Sequence, residues 1–354
     1  MSQIRIDAFR SKFKELKIDS ALITNPYDVF YLSGFTGMDG DGYLIITEKK
    51  AFIITDSRYT VQAKEQCPEY TLKLFGGPKL DKVSKLVATI GIKKMGVQDE
   101  ALSFAQYQNF KKAFEGVKFS SMGNTLTMMR MIKDEDEIEI IKKACVCAWQ
   151  SYEAILPLVK AGNREVDVAA QLELEMRKRG ASKVSFDTIL ASGPRSAMPH
   201  GAASERVIKA GEPVTIDFGA LYQGYCSDQT RTPFAPGRRN KQLVEIYKIV
   251  EEAHDQAIAK FKPGMTGIEV DKIARDVITK AGYGKEFGHG LGHGVGVEIH
   301  ELPNVNKRGT IPLTKGMVFS IEPGIYVEGL GGVRIEDLGV VTDNGLEIIT
   351  GKSK

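Results

Sequence analysis

The sequence predicts an α+β chain of two domains. A smaller α/β domain spans residues 1–123, a linker 124–133, and a larger domain with an internal pseudo-two-fold repeat 134–354. Three observations carry this expectation. A chain of 354 residues exceeds what one hydrophobic core commonly serves. Short apolar runs alternate with helical patterns at the start of the chain, as buried strands do in α/β units. Further on, two helical patterns followed by a strand-rich segment occur twice, which marks a repeat.

In the first domain SALIT (20–24), GYLIIT (42–47) and AFIIT (51–55) read as buried strands. The stretch Met122–Asp134 reads as the linker, and a long helix follows it. Asp134 stands at its N-cap with Glu137 three residues on, the pattern of a capping box. Ile138, Ile141, Cys145, Ala148, Tyr152 and Ile155 recur at helical spacing and give it one buried face, and Pro157 and Gly162 mark its end. The repeat then shows in short matches. Lys160-Ala-Gly162 with Glu165-Val-Asp167 and Ala170 answers Lys262-Pro-Gly264 with Glu269-Val-Asp271 and Ala274. Each copy precedes a strand-rich segment, 213–234 in one half and 316–342 in the other.

Composition excludes several classes. Apolar content of 42% and charged content of 26% are those of an ordinary globular chain. A formal net charge of +3 without a basic run argues against a nucleic-acid partner. No apolar stretch approaches the ~20 residues a membrane helix needs, and the amphipathic N-terminal pattern lacks a signal-peptide core. Cys67, Cys145, Cys147 and Cys226 show neither a disulfide framework nor zinc-ribbon spacing, so a cytoplasmic location is expected.

The two strand-rich segments each carry a pair of carboxylates. In VTIDFGA, Val214, Ile216 and Phe218 share one face and Asp217 lies on the other. A hairpin turning at Tyr222-Gln223 would set Asp217 opposite Asp228. In MVFSIEP, Ser320 and Glu322 alternate with Phe319 and Ile321, and a turn near Gly329 would bring Glu322 to Glu336. Any one of these acids alone reads as salt-bridged or as lying at a strand end near solvent. Four in one enclosed site would repel each other, and two divalent cations would cancel their charges.

Four of the five histidines fall in Gly- or Pro-flanked stretches beside these strands. GHGLGHGVG holds glycine at 288, 290, 292, 294 and 296; at ~1 kcal/mol each relative to alanine, these exclude a helix. The spacing of His289 and His293 is therefore not that of a metal-binding helix, and without a following Lys-Ser/Thr it is not a phosphate loop. An extended segment puts both on one side. His200 in MPHG and His300 in IHELP sit in turn contexts, whereas His254, in EEAHDQAIAK, reads as a helix histidine with no part in chemistry.

Taken together, ASGPRSAMPHG, TIDFGALYQGYCSDQTRT, GHGLGHGVGVEIHELP, FSIEPGIY and GGVRIED resemble the motif blocks of the prolidase and aminopeptidase P family. These are the metallopeptidases of pita-bread fold. The resemblance runs in order over residues 130–350, and NPYDVFYLSGF and TDSRYTVQA resemble, more weakly, the family's creatinase-like N-terminal domain. It implies that Asp217 chelates one metal, that Asp228 and Glu336 bridge two, and that His293 and Glu322 complete the second site. It also implies that His289 and His300 hold the substrate or its oxyanion, that His200 contacts substrate near the scissile bond, and that Arg334 lies beside the ligands. The implied reaction is hydrolysis of the bond between an N-terminal residue and proline, in Xaa-Pro dipeptides or short peptides, by a hydroxide shared between two metals. Glu322 would pass a proton to the leaving nitrogen.

One nitrogen and four oxygen ligands suit Mn²⁺ best, with Co²⁺ or Zn²⁺ as substitutes. A homodimer is expected from the resemblance. The alternatives are a creatinase-like hydrolase that uses no metal and a binding protein that kept the fold without the chemistry. Both would be expected to lose ligand residues, and every ligand position is present. Methionine aminopeptidase shares the fold but typically without such an N-terminal domain.

Overall fold

The computed structural model describes residues 2–37, 41–75 and 79–351, so the outermost residues of the expected domains lie outside the described residues. The chain divides into two compact units, Met1–Met129 and Arg130–Lys354. The first is built on a six-stranded sheet in the order Thr71–Leu74, Ala51–Thr55, Gly42–Thr47, Ser20–Ile23, Lys94–Val97, Lys118–Ser121. Among the three strands in the middle neighbours are antiparallel, and the outer ones pair in parallel. The three runs read as strands are those middle three, buried along their whole length, which is why they show no alternation. The stretch read as a linker contains a helix, Thr125–Met131.

In the second unit the helix Glu135–Ile155 begins with the expected capping box between Asp134 and Glu137. Its inner face holds Ile141, Cys145, Ala148, Tyr152 and Ile155, while Ile138 is only half-buried. The repeat is present, with one correction. Helices start at Glu165 and Gly267, and positive-φ glycines precede them at 162 and 264, so the halves are offset by 102 residues. The Glu-Val-Asp match runs at 104 and does not align equivalent positions: Glu165 opens its helix, whereas Glu269 caps Thr266 from the third position.

Each half packs a helix pair on its own core, Leu172, Met176, Val214, Ile216 and Phe218 in one and Val270, Ile278, Phe319 and Ile321 in the other. The sheets correspond as well. Gln229–Arg231, Val214–Phe218 and Ile189–Ser192 lie side by side in the first half, as Asp337–Thr342, Val318–Ile321 and Gly292–Gly294 do in the second. Among the described residues one isolated bridge, Thr230 to Glu336, runs between the two sheets.

The register of the first hairpin differs from expectation. Its two-residue turn is Gln223-Gly224, with φ of 48° and 85°, the type I′ geometry whose twist matches the strands. Shifting the turn by one residue moves the pairing by two, so Asp217 faces Thr230 rather than Asp228. Parity is unchanged, and both acids keep the same side. In the second half the turn is centred at Gly329 as expected. Gly324–Arg334 and Ile321–Asp337 pair at one common offset on either side of a break, which sets Glu322 opposite Glu336.

Candidate metal centre

The strands bring their acids to one place because their other faces are apolar. Val214, Ile216 and Phe218 enter one core and Met317, Phe319 and Ile321 the other, which turns Asp217 and Glu322 away from both. Asp228 sits in the break just before Gln229–Arg231, and Glu336 in the break just before Asp337–Thr342. His293 occupies the middle of the strand Gly292–Gly294. Glycine is required there: a Cβ at 292 would lie 1.9 Å from the Ser320 carbonyl oxygen, and one at 294 would lie 2.2 Å from that of Leu302. Asp217, Asp228, His293, Glu322 and Glu336 line one cavity of about 550 Å³ together with His200, His289, His300 and Arg334. His254 lies elsewhere.

The hydrogen bonds assign the histidine tautomers. His293 Nδ1 lies 3.1 Å from the Gly294 carbonyl oxygen, which can only accept, so Nδ1 carries the proton. Burial, foremost, holds the ring's pKa below its ordinary value, so the imidazole is neutral near pH 7. Its Nε2 lone pair then faces two carboxylates, with Asp228 Oδ2 at 3.5 Å and Glu322 Oε1 at 3.4 Å. Lone pair against carboxylate is repulsive unless a cation lies between them. Asp228, His293 and Glu336 each offer a ligand atom, all within 4.8 Å of one another.

The acids point the same way. Asp217 Oδ2 accepts from Arg334 Nη2 at 2.7 Å, but its Oδ1 is buried without a partner. Asp228 and Glu336 are pushed well above the carboxylate range by burial first and then by their acidic neighbours. Glu322 is also raised by burial, against the opposing pull of His289 and Arg334. One guanidinium against four carboxylates leaves a deficit of positive charge that divalent cations would fill. The donor set, four carboxylates and one neutral imidazole, fits such ions.

Three supporting residues had no assigned role in the sequence reading. Thr230 donates its hydroxyl to Glu336 Oε2 at 2.6 Å and accepts from Arg334 Nε at 3.1 Å. Ser320 accepts from the His293 amide and donates to Glu322 Oε1, both at 3.1 Å. Tyr326 accepts from Arg334 Nη1 at 2.7 Å, and its oxygen lies 3.0 Å from His289 Nε2. His289 Nδ1 lies 2.8 Å from the Gly290 carbonyl oxygen and so holds the proton, which leaves Nε2 to accept from Tyr326. Alternation reaches all three, since Thr230 shares the face of Asp228, and Ser320 and Tyr326 that of Glu322. His200 and His300 are exposed at the mouth, the His300 ring 4.3 Å from that of His293.

Comparison with known proteins gives the family. Residues 139–343 match the model of metallopeptidase family M24, and residues 5–132 match the creatinase/prolidase N-terminal domain. The chain is 41% identical over 346 residues to the Xaa-Pro dipeptidase of Pyrococcus furiosus, covering 98% of this chain and 97% of that protein. The solved structure of an Xaa-Pro dipeptidase from Bacillus anthracis superposes with a TM-score of 0.95 at 44% identity, covering 100% of this chain and 99% of that one. The crystal structure of an X-Pro aminopeptidase from Thermotoga maritima superposes at 0.90 with 40% identity, covering 97% and 98%.

Proposed function

The chain belongs to metallopeptidase family M24, and we propose that it hydrolyses the peptide bond between an N-terminal residue and a following proline. The observation that carries the metal dependence is the neutral His293, its Nε2 aimed at two carboxylates in a cavity with an excess of acid. The relatives named Xaa-Pro dipeptidase and X-Pro aminopeptidase support the substrate class.

In this reading Asp217, Asp228, His293, Glu322 and Glu336 would hold two divalent ions. Mn²⁺ is the ion proposed, on the hardness of the donor set. When bound, the ions would supply Lewis acidity to the scissile carbonyl and an activated water. The protein's own side chains do the rest. Glu322, held by Ser320, passes a proton to the leaving proline nitrogen, which as a tertiary amide has no hydrogen of its own. His300, at the mouth, donates to the developing oxyanion, and His200 contacts the substrate beside it. His289 acts through Tyr326, which occupies its Nε2. Phe186, Ile189 and Ile299 give the cavity an apolar wall suited to a pyrrolidine ring.

We further propose a cytoplasmic homodimer in which residues 134–354 form the catalytic domain and residues 1–123 the creatinase-like N-terminal domain, joined by the 124–133 segment. All four cysteines are free and buried, which suits a reducing compartment, and no helix among the described residues is long and apolar enough to cross a membrane.

The test is one assay of the Mn²⁺-loaded chain on Ala-Pro, Ala-Pro-Ala and Ala-Ala. Replacing proline by alanine should lower kcat/KM by at least ~100-fold, because the ring loses its wall and the chain its preset geometry. Comparable rates on Ala-Pro and Ala-Ala would make it a general peptidase. Full activity after exhaustive chelation would favour the creatinase-like alternative.

A further inference from the structure

Glu336 faces the cavity, and its neighbour Asp337 faces away from it, into a separate groove of about 920 Å³. Asp337 is buried, and three groups from distant parts of the chain converge on its carboxylate. Arg231 Nη2 and Thr350 Oγ1 donate to Oδ1, each at 2.6 Å, and His254 Nε2 lies 3.1 Å from Oδ2. Arg231 in turn donates from Nη1 to the carbonyl oxygens of Glu336 at 2.5 Å and Thr230 at 2.9 Å. Those two residues form the bridge between the halves, where the Glu336 amide donates to the Thr230 carbonyl at 3.1 Å.

We propose that Asp337, clamped by His254, Arg231 and Thr350, is a positioning residue that fixes the backbone of Glu336 and thereby aims its carboxylate into the metal centre. The proposal rests on the metal reading given above. Glu336 lies in a break between strands, where regular pairing does not hold its peptide units. Its amide is tied by Thr230, its carbonyl by Arg231 and its side chain by the Thr230 hydroxyl. Asp337 supplies the charge that holds Arg231 in place. A buried carboxylate, guanidinium and imidazole are costly to assemble, and an apolar cluster would pack the strand at least as well. What an apolar cluster would not supply is direction, because a metal site tolerates little drift in its ligands. His254, which the sequence reading set aside as a helix histidine with no part in chemistry, is the part of this clamp contributed by the helix Lys241–Lys260.

The test titrates the full-length metal-free chain with Mn²⁺ by calorimetry, alongside Ala-Pro kinetics. Trp149, the single tryptophan, lies with its ring centroid 5.2 Å from Arg231 Cζ and gives a fluorescence signal from the clamp itself. Asp337→Asn and His254→Ala should weaken Mn²⁺ affinity by about tenfold or more. They should also lower kcat at saturating Mn²⁺ with KM nearly unchanged. His254→Gln, whose amide can donate to Asp337, should recover most of the loss, and wild-type Trp149 fluorescence should change on metal addition. Folded variants with native Mn²⁺ affinity and kcat would overturn the proposal. Should His254→Ala fail to fold, native values for Asp337→Asn would overturn it equally. A wild-type chain that takes up no Mn²⁺ would instead overturn the metal reading, and this proposal with it.

Discussion

Replacing Thr230 by valine removes a single buried oxygen beside Glu336 while keeping the branched shape. Thr230 is fully buried, and its hydroxyl donates to Glu336 Oε2 at 2.6 Å while accepting from Arg334 Nε at 3.1 Å. Arg334 keeps its other bonds, to Asp217 Oδ2, the Tyr326 hydroxyl and the Pro199 carbonyl, so the guanidinium stays in place. The loss is therefore concentrated on Glu336. A hydrogen bond to a charged group is worth about 1.5–3 kcal/mol. At about 1.4 kcal/mol per factor of ten, that corresponds to a fall of about 10- to 150-fold in kcat/KM. The assay is Ala-Pro hydrolysis at rising Mn²⁺ concentration. Excess metal should restore whatever part of the loss is affinity, and the remainder should persist as lowered kcat. Thr230→Ser, which keeps the oxygen, should stay close to wild type. A folded Thr230→Val within threefold of wild type at every metal concentration would refute the reasoning.

Two further outcomes follow from the same geometry. His300→Ala and His289→Ala should each lower kcat by about 100-fold with the fold intact. Tyr326→Phe should reproduce much of the His289 effect and little of the His300 effect; a Tyr326→Phe variant with wild-type kcat would show that His289 does not act through Tyr326. Mn²⁺ binding should release more protons as the pH is lowered below neutral, because burial, foremost, and then the neighbouring acids push Asp228 and Glu336 above the ordinary carboxylate range. The sign is that affinity weakens as pH falls, since protons then compete for the same oxygens. Calorimetry in two buffers of different ionisation enthalpy counts the protons, and a count that does not rise as the pH is lowered would refute it.

Local rules made much of the second unit legible. The Asp134–Glu137 capping box and the alternation of Val214, Ile216 and Phe218 around Asp217 depend only on neighbours a few residues apart, and both stand in the structure. The turn near Gly329 was readable for the same reason, because parity and loop length together leave few registers. The first hairpin was misplaced by one residue because its turn needs positive φ at two positions, and Gln223 does not advertise that conformation as Gly224 does. The Glu-Val-Asp match in the repeat misled for a different reason: three matching letters carried no information about helix phase. The clamp on Asp337 was not legible from motifs. Its partners lie far along the chain, as with Arg231 and Glu336, and only folding places them together.

The division of the second unit into two halves, each with its own core, bears on how such a site could have arisen. Asp217 and Asp228 come from one half and His293, Glu322 and Glu336 from the other, so a lone ancestral half would have owned only a pair of acids. To close around a metal it would have needed a twin, which makes a symmetric dimer of half-length chains the natural precursor and gene fusion the later event. Fusion freed the copies to diverge. In one, the strand beside the acids became the apolar Ile189–Ser192; in the other it became a glycine-lined slot for an imidazole. If the site holds two ions as proposed, that divergence would leave them chemically unequal positions, which a symmetric ancestor could not have had.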